Sequence, residues 1–170
     1  PFLFSSFLLF LISLGSPANA KYASFMINEN TKRIYHNTNA DTRNYPASLT
    51  KIMTLYMIFD ALESKKISMK TKLKVSKRAS RQPPSKLYLS PGSRITVKNA
   101  IMALITKSAN DVATVVAENL GKSERNFAKL MTKKAKQLGM TRTTFKNASG
   151  LPNRGQLSTA RDMATLGMAI

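Results

Sequence analysis

The chain has no cysteine and no tryptophan, a single histidine, His36, and only 8 acidic residues in 170. Each shortage closes a route. Without cysteine there is no disulfide, no thiol nucleophile and no cysteine-rich zinc site. A Ser-His-Asp triad would have to use His36, and a metal site would have to be built almost entirely from the few carboxylates. By elimination, an activated serine in this chain relies on a lysine. Cations, by contrast, are abundant: 27 lysines and arginines give a formal net charge of +19. Such a charge attracts nucleic acid, acidic lipid or an acidic polymer. The sequence carries no zinc-finger spacing, no RNP-type aromatic strand and no Gly-x-x-Gly clamp, so nucleic acid is set aside as a partner. The plain reading of the charge is a solvated lysine-rich surface.

At the start, Phe2 to Leu14 is an apolar run broken only by serines, and Ala18-Asn19-Ala20 has the small-x-small form of a signal-peptidase site. The run is short for a bilayer span. Residues 1–20 therefore read as a secretory signal cut after Ala20, lacking its initiator Met and positive n-region, with an uncleaved membrane anchor as the competing reading. Both place residues 21–170 outside the cytoplasm, in the periplasm or on the outer face of the cytoplasmic membrane.

Lys21 to Asn28 and Lys32 to Asn37 read as a β-hairpin around Asn28-Glu29-Asn30-Thr31, with His36 solvated at its far end. Pro46 to Ser64 reads as a helix apolar on nearly every face, which predicts a place in the middle of the domain, with Ser48 at or beside its N-cap. No acidic residue occurs between Glu63 and Asp111, and the lysine-rich stretch from Lys65 to Lys86 reads as an exposed flap. Lys72 to Val75 and Ile95 to Val97 are short strand candidates. Thr96 should cap a helix from Val97 to Thr106, and a second helix should run from beyond Asn110 to Leu120 with Gly121 as C′. Ser123 should cap a third that stops at Gly139. Met140 to Gly155 reads as loop, and Ser158 as the cap of a last helix over Thr159 to Ile170.

Ser48-Leu49-Thr50-Lys51 is the one Ser-x-x-Lys in the chain, and Ser108-Ala109-Asn110 the one Ser-x-Asn. The first opens a buried helix and the second breaks a helical hairpin, two places where side chains can converge. A serine hydroxyl needs a base to take its proton, and a lysine can be that base only if its pKa falls toward neutrality. Burial against apolar neighbours does that. On this logic Ser48 is the nucleophile and Lys51, one turn above it, the base. Ser108 can pass the proton to a leaving amine, Asn110 can hold Lys51 or a substrate carbonyl, and the Ser48 N–H can form half of an oxyanion hole. The bland readings of the same residues are an N-cap, a snorkelling lysine and an interhelical turn.

With these motifs the sequence resembles the serine-type D-alanyl-D-alanine carboxypeptidases, the low-molecular-mass penicillin-binding proteins. YPASLTKIMT at Tyr45 to Thr54, LYLSPGSRITV at Leu87 to Val97 and LITKSANDVATVVAENLG at Leu104 to Gly121 carry the likeness. So do GMTRTTFKNASGLPN at Gly139 to Asn153 and STARDMATL at Ser158 to Leu166. The resemblance implies an α+β fold like that of serine β-lactamases and DD-peptidases, an antiparallel sheet with flanking helices plus an all-helical subdomain. It implies catalytic Ser48, Lys51 and Ser108, substrate-binding Asn110, no metal and no cofactor. The implied substrate is the D-Ala-D-Ala end of a peptidoglycan stem peptide, with β-lactam antibiotics as inhibitors and an anionic membrane or wall surface as a further partner. The family's third signature, Lys-Thr-Gly, does not occur. The expectation is therefore a catalytic domain, residues 21–170, incomplete at its C-terminus, with later sheet strands missing and no activity as it stands. A serine β-lactamase uses the same first two motifs, but the glutamates after Asn110, Glu118 and Glu124, fall on helix stretches rather than in the Met140 to Gly155 loop. A non-catalytic basic cell-wall binder is the alternative of a different class.

Overall fold

Asn28 makes the first turn of the chain as the computed structural model describes it, from residue 22 to residue 170. The apolar run and the cleavage-like site read as an export signal lie outside the described residues. The Asn28 side-chain oxygen accepts from the N–H groups of Asn30 (3.0 Å) and Thr31 (2.8 Å), and Lys32 closes the turn at φ +57°. On either side, β1 (Ser24–Ile27) and β2 (Ile34–Thr38) pair antiparallel, as the alternation predicts. His36 is exposed on β2, within 3.1 Å of the Thr38 hydroxyl.

The lysine-rich stretch is no loose flap. Within it β3 (Lys72–Lys74) pairs antiparallel with β4 (Arg94–Thr96), and Ser76 caps the short α2 (Lys77–Ser80) by accepting from the Ala79 N–H at 2.9 Å. The cause is the spacing of apolar residues among the lysines. Leu73, Val75, Ala79 and Ile95 are buried, so the segment seats one face on the core while its cations stay in water. The Asn119 side chain completes the edge of β3, accepting from the Lys74 N–H at 3.0 Å and donating to the Lys74 carbonyl at 2.9 Å.

Three longer helices also start from hydroxyl caps. Thr96 accepts from Asn99 N–H (3.2 Å) ahead of α3 (Val97–Thr106), as expected. Ser123 accepts from Asn126 N–H (3.2 Å) ahead of α5 (Glu124–Gln137). For α6 (Ala160–Ala169) the cap is Thr159, bonded to the Asp162 N–H at 3.0 Å, one residue beyond the expected Ser158. Ser158 is engaged otherwise, bridging to Asn44 through its backbone and to Thr143 through its hydroxyl. Gly121 is likewise shifted from its expected part. It is the last residue of α4 (Asn110–Gly121), and Lys122 takes the left-handed conformation at φ +62°. Gly121 serves close approach instead: a Cβ there would lie 2.6 Å from that of Phe127 on α5.

Pro46 to Ser64 divides into a 3-10 turn (Ala47–Leu49) and α1 (Thr50–Glu63). α1 contributes Met53, Leu55 and Ile58 to the core but keeps Phe59 and Glu63 at the surface. The middle of the domain belongs to α4. Its Val112, Ala113, Val115, Val116 and Ala117 are all fully buried, because small and β-branched side chains let α1, α2, α3, α5 and β3 approach it from several sides. Among the described residues the architecture is α+β, two separate antiparallel ribbons against a helical core, and no helix is long and apolar enough to cross a membrane.

Candidate active site

Ser48 sits in the 3-10 turn that feeds α1, exposed, with the preceding Ala47 forced to φ +47°. A non-glycine residue held in the left-handed region stores strain that only its surroundings can maintain. Ser48 stands beside the N-cap residue Leu49, within the expected range, and makes no capping hydrogen bond: α1 starts at Thr50 with no side-chain cap. The serine hydroxyl is therefore not committed to holding the helix.

Lys51 follows one turn later and is 3 % exposed. Its burial pulls the ammonium pKa from 10.5 to about 8. Its Nζ donates to the carbonyl of Ser149 at 2.6 Å, across 98 residues of chain. The same loop is fastened a second time, where the Thr54 hydroxyl donates to the Ala148 carbonyl at 2.7 Å.

The loop is shaped from within by Asn147, whose Oδ1 accepts from the N–H groups of Ser149 (3.2 Å) and Gly150 (2.8 Å). Gln156 backs it, accepting from the N–H groups of Lys146 and Asn147, both at 2.9 Å. Gly150, at φ +88°, lies directly on the turn that carries Ser48. A Cβ on it would fall 1.8 Å from the Ala47 carbonyl oxygen and 3.1 Å from the Ser48 nitrogen. No other residue allows that approach.

Ser108 forms the corner between α3 and α4 at φ +52°, half-buried, and Asn110 opens α4 at 6 % exposure. Asn110 does not reach Lys51 with its amide: Nδ2 donates to the carbonyls of Pro83 (3.0 Å) and Pro84 (3.2 Å). Of the two contacts open to Asn110, Lys51 or a substrate carbonyl, the hold on Lys51 is made by the Ser149 carbonyl instead. Next to it Asp111, fully buried, accepts from the N–H groups of Leu87 (3.1 and 3.0 Å), Leu89 (3.3 Å) and Val112 (2.9 Å). Between the two tethered N–H groups Tyr88 is thrust outward at φ +59°. The Pro83 to Leu89 segment is thus bound onto the Ser-x-Asn corner.

Beside the Ser48 turn opens a cavity of about 580 Å³, lined by Tyr45, Pro46, Ala47, Leu151, Pro152 and Arg154 among others. The arrangement offers an exposed hydroxyl on a strained turn, a buried amine one turn away held by a backbone carbonyl, and a roomy cleft alongside. It suits acyl transfer to serine. Among the described residues no group of three or more His, Asp or Glu is placed to hold a metal.

Sequence reasoning singled out Ser48, Lys51, Ser108 and Asn110 and missed the residues that set their geometry: Thr54, Asp111, Asn147, Ser149, Gly150 and Gln156. The one local signal for them was the Asn147-Ala148-Ser149-Gly150 turn composition.

Comparison with known proteins identifies the family and the fold. Residues 15–170 match the model of the D-alanyl-D-alanine carboxypeptidase family. The chain is 39% identical over 149 residues to the D-alanyl-D-alanine carboxypeptidase DacF of Bacillus subtilis, covering 88% of this chain and 38% of that one. The crystal structure of the D-alanyl-D-alanine carboxypeptidase DacD from Francisella tularensis superposes with a TM-score of 0.84 at 35% identity, over 86% of this chain and 36% of that one. Penicillin binding protein 5 from Haemophilus influenzae superposes with a TM-score of 0.83 at 33% identity, over 87% and 44%. The chain thus spans less than half the length of each of these relatives.

Proposed function

The chain belongs to the D-alanyl-D-alanine carboxypeptidase family, and on that premise we propose that the protein removes the terminal D-alanine from peptidoglycan stem peptides through an acyl-serine on Ser48. The observation that carries the reading is Lys51, buried one turn from an exposed serine, with an amine that burial brings to a pKa of about 8.

In this reading neutral Lys51 takes the Ser48 hydroxyl proton as Oγ attacks the carbonyl carbon of the penultimate D-alanine. The tetrahedral intermediate collapses with cleavage of the peptide C–N bond. A proton delivered through Ser108 lets terminal D-alanine leave as the amine, and an ester to Ser48 remains. Water then hydrolyses the ester, and the proton returns to Oγ. Asn110 contacts the substrate from the Ser-x-Asn corner. A β-lactam enters the same way, but its leaving group stays tethered, so the acyl-enzyme persists.

The apolar run with its Ala18-Asn19-Ala20 site supports export to the periplasm or the outer membrane face. The outward face of the β3–β4 ribbon supports contact with an anionic wall or lipid surface, since Lys74 and Arg94 stand opposite each other, both exposed. Sedimentation with acidic vesicles that persists undiminished in high salt would count against that contact.

The test of the reaction is covalent labelling of the native protein, as the cell makes it, by a penicillin, followed by mass spectrometry. One adduct on Ser48, decaying slowly, is the expected result. Labelling that survives Ser48→Ala would overturn the assignment.

A further inference from the structure

Glu124 is one of 8 acidic residues in a chain of net charge +19, and it is spent inside, 7 % exposed at the first position of α5. A carboxylate buried this far costs stability unless both oxygens are engaged. Both are. Oε2 pairs with the Arg78 guanidinium, which reaches over from α2 with a side chain still 65% exposed, and Oε1 accepts from the Ala148 N–H at 3.2 Å.

That N–H belongs to the loop that holds Lys51. The Ala148 carbonyl takes the Thr54 hydroxyl and the Ser149 carbonyl takes Lys51, so α1 grips two successive carbonyls from one side. Glu124 grips the N–H just before them from α5. From inside the loop Asn147 sets its curvature but cannot fix where it lies relative to α1.

We infer that Glu124, steadied by Arg78, is a positioning residue for Lys51: it fixes the Ala148–Ser149 backbone from the α5 side so that the Ser149 carbonyl stands where the lysine amine must point. The inference rests on the reading of Lys51 as the base. The carboxylate touches neither Ser48 nor Lys51 and acts through two peptide units. A displacement of the loop by an ångström would turn the amine away from the serine and admit water beside it.

The experiment measures, on the native protein, the rate constant for acylation by a fluorescent penicillin across pH, and deacylation separately. Glu124→Ala should slow acylation by ~10- to 100-fold. It should also move the rising limb of the rate against pH upward, because water at a loosened loop returns Lys51 toward an ordinary lysine. Glu124→Gln, which keeps an oxygen for the Ala148 N–H, should stay within about threefold with the limb unmoved, and Arg78→Ala should be slower by roughly three- to tenfold. Ser48→Ala runs in parallel: labelling that survives it removes the reading of the site, whatever Glu124 does.

With Ser48→Ala silent, three results overturn the inference. The first is acylation within about twofold of the unsubstituted protein in both Glu124→Ala and Arg78→Ala. The second is unchanged acylation with collapsed deacylation, which would make Glu124 a water-activating base. The third is a fall in Glu124→Ala and Glu124→Gln alike with no movement of the limb, which marks a general loss of folding. Should Glu124→Ala not fold, the exposed Arg78→Ala decides.

Discussion

Lys51 and Asp111 hold the same place in two helices, the second residue of α1 and the second residue of α4, and both are buried. Their surroundings are opposite. Asp111 is an anion at a helix N-terminus, where the dipole favours it, and backbone N–H groups of three residues converge on its carboxylate. Lys51 is a cation at the end where the dipole opposes it, and one carbonyl is its partner. The Asp111 charge is fully satisfied. In the proposed reading Lys51 is left short for chemistry, and that shortfall is what would make it reactive.

Replacing each residue in turn should separate the two roles. Lys51→Met should lower acylation by at least ~10³-fold, the upper part of the range for loss of a general base, and yet not lower stability. The depression from 10.5 to about 8 means that folding disfavours the ammonium by up to about 3 kcal/mol, less whatever solvent screens. Against this stands one lost charge-assisted hydrogen bond of about 1.5–3 kcal/mol. The two nearly offset, so chemical denaturation at neutral pH should show a nearly unchanged midpoint, and a clear loss would break the comparison. Asp111→Ala should instead lower stability, by about 3 kcal/mol, by leaving the Leu87 and Leu89 N–H groups unpaired and freeing the segment that displays Tyr88. Proteolysis of the Pro83 to Leu89 segment would report its release.

Titration sharpens the contrast further. Below about pH 8 the folded protein bears the whole cost of the buried ammonium. Between about 8 and 10.5 the unfolded chain holds a proton there that the folded one has released, so stability should rise with pH through that window, and acylation should rise through its lower edge. The difference in unfolding free energy between the unsubstituted protein and Lys51→Met should show that slope, and a flat difference would refute it. Smaller effects belong to residues outside the pair. Thr96→Ala, which removes the α3 cap, should cost about 1 kcal/mol. Asp60→Ala, which breaks the part-exposed pair with Lys134 at 2.8 Å, should cost no more than about 0.5 kcal/mol and vanish in high salt.

Local rules carried far along the chain. Thr96 and Ser123 cap where their positions say, because a hydroxyl ahead of an apolar-periodic run meets its acceptor geometry within three residues. Where local rules failed, a distant partner had intervened. Ser158 yields its cap to Thr159 because Asn44 and Thr143 engage it. Gly121 is wanted for its lack of a side chain against Phe127 rather than for its backbone freedom. The lysine-rich stretch passed for a flap because its buried residues are single and scattered, a pattern that shows only once β3 and β4 pair.

By itself the sequence determined the long helices and most of their ends, the first hairpin, the short strand candidates that become β3 and β4, and a serine and a lysine one turn apart at the start of an apolar helix. What that lysine faces was decided by the tertiary structure alone. Its partner is a main-chain carbonyl 98 residues away, and a carbonyl carries no side-chain signature that a linear reading could detect. The loop reaches it through packing against α1 and α5, and through the absence of a single Cβ at Gly150, all of which exist only after the chain has closed on itself.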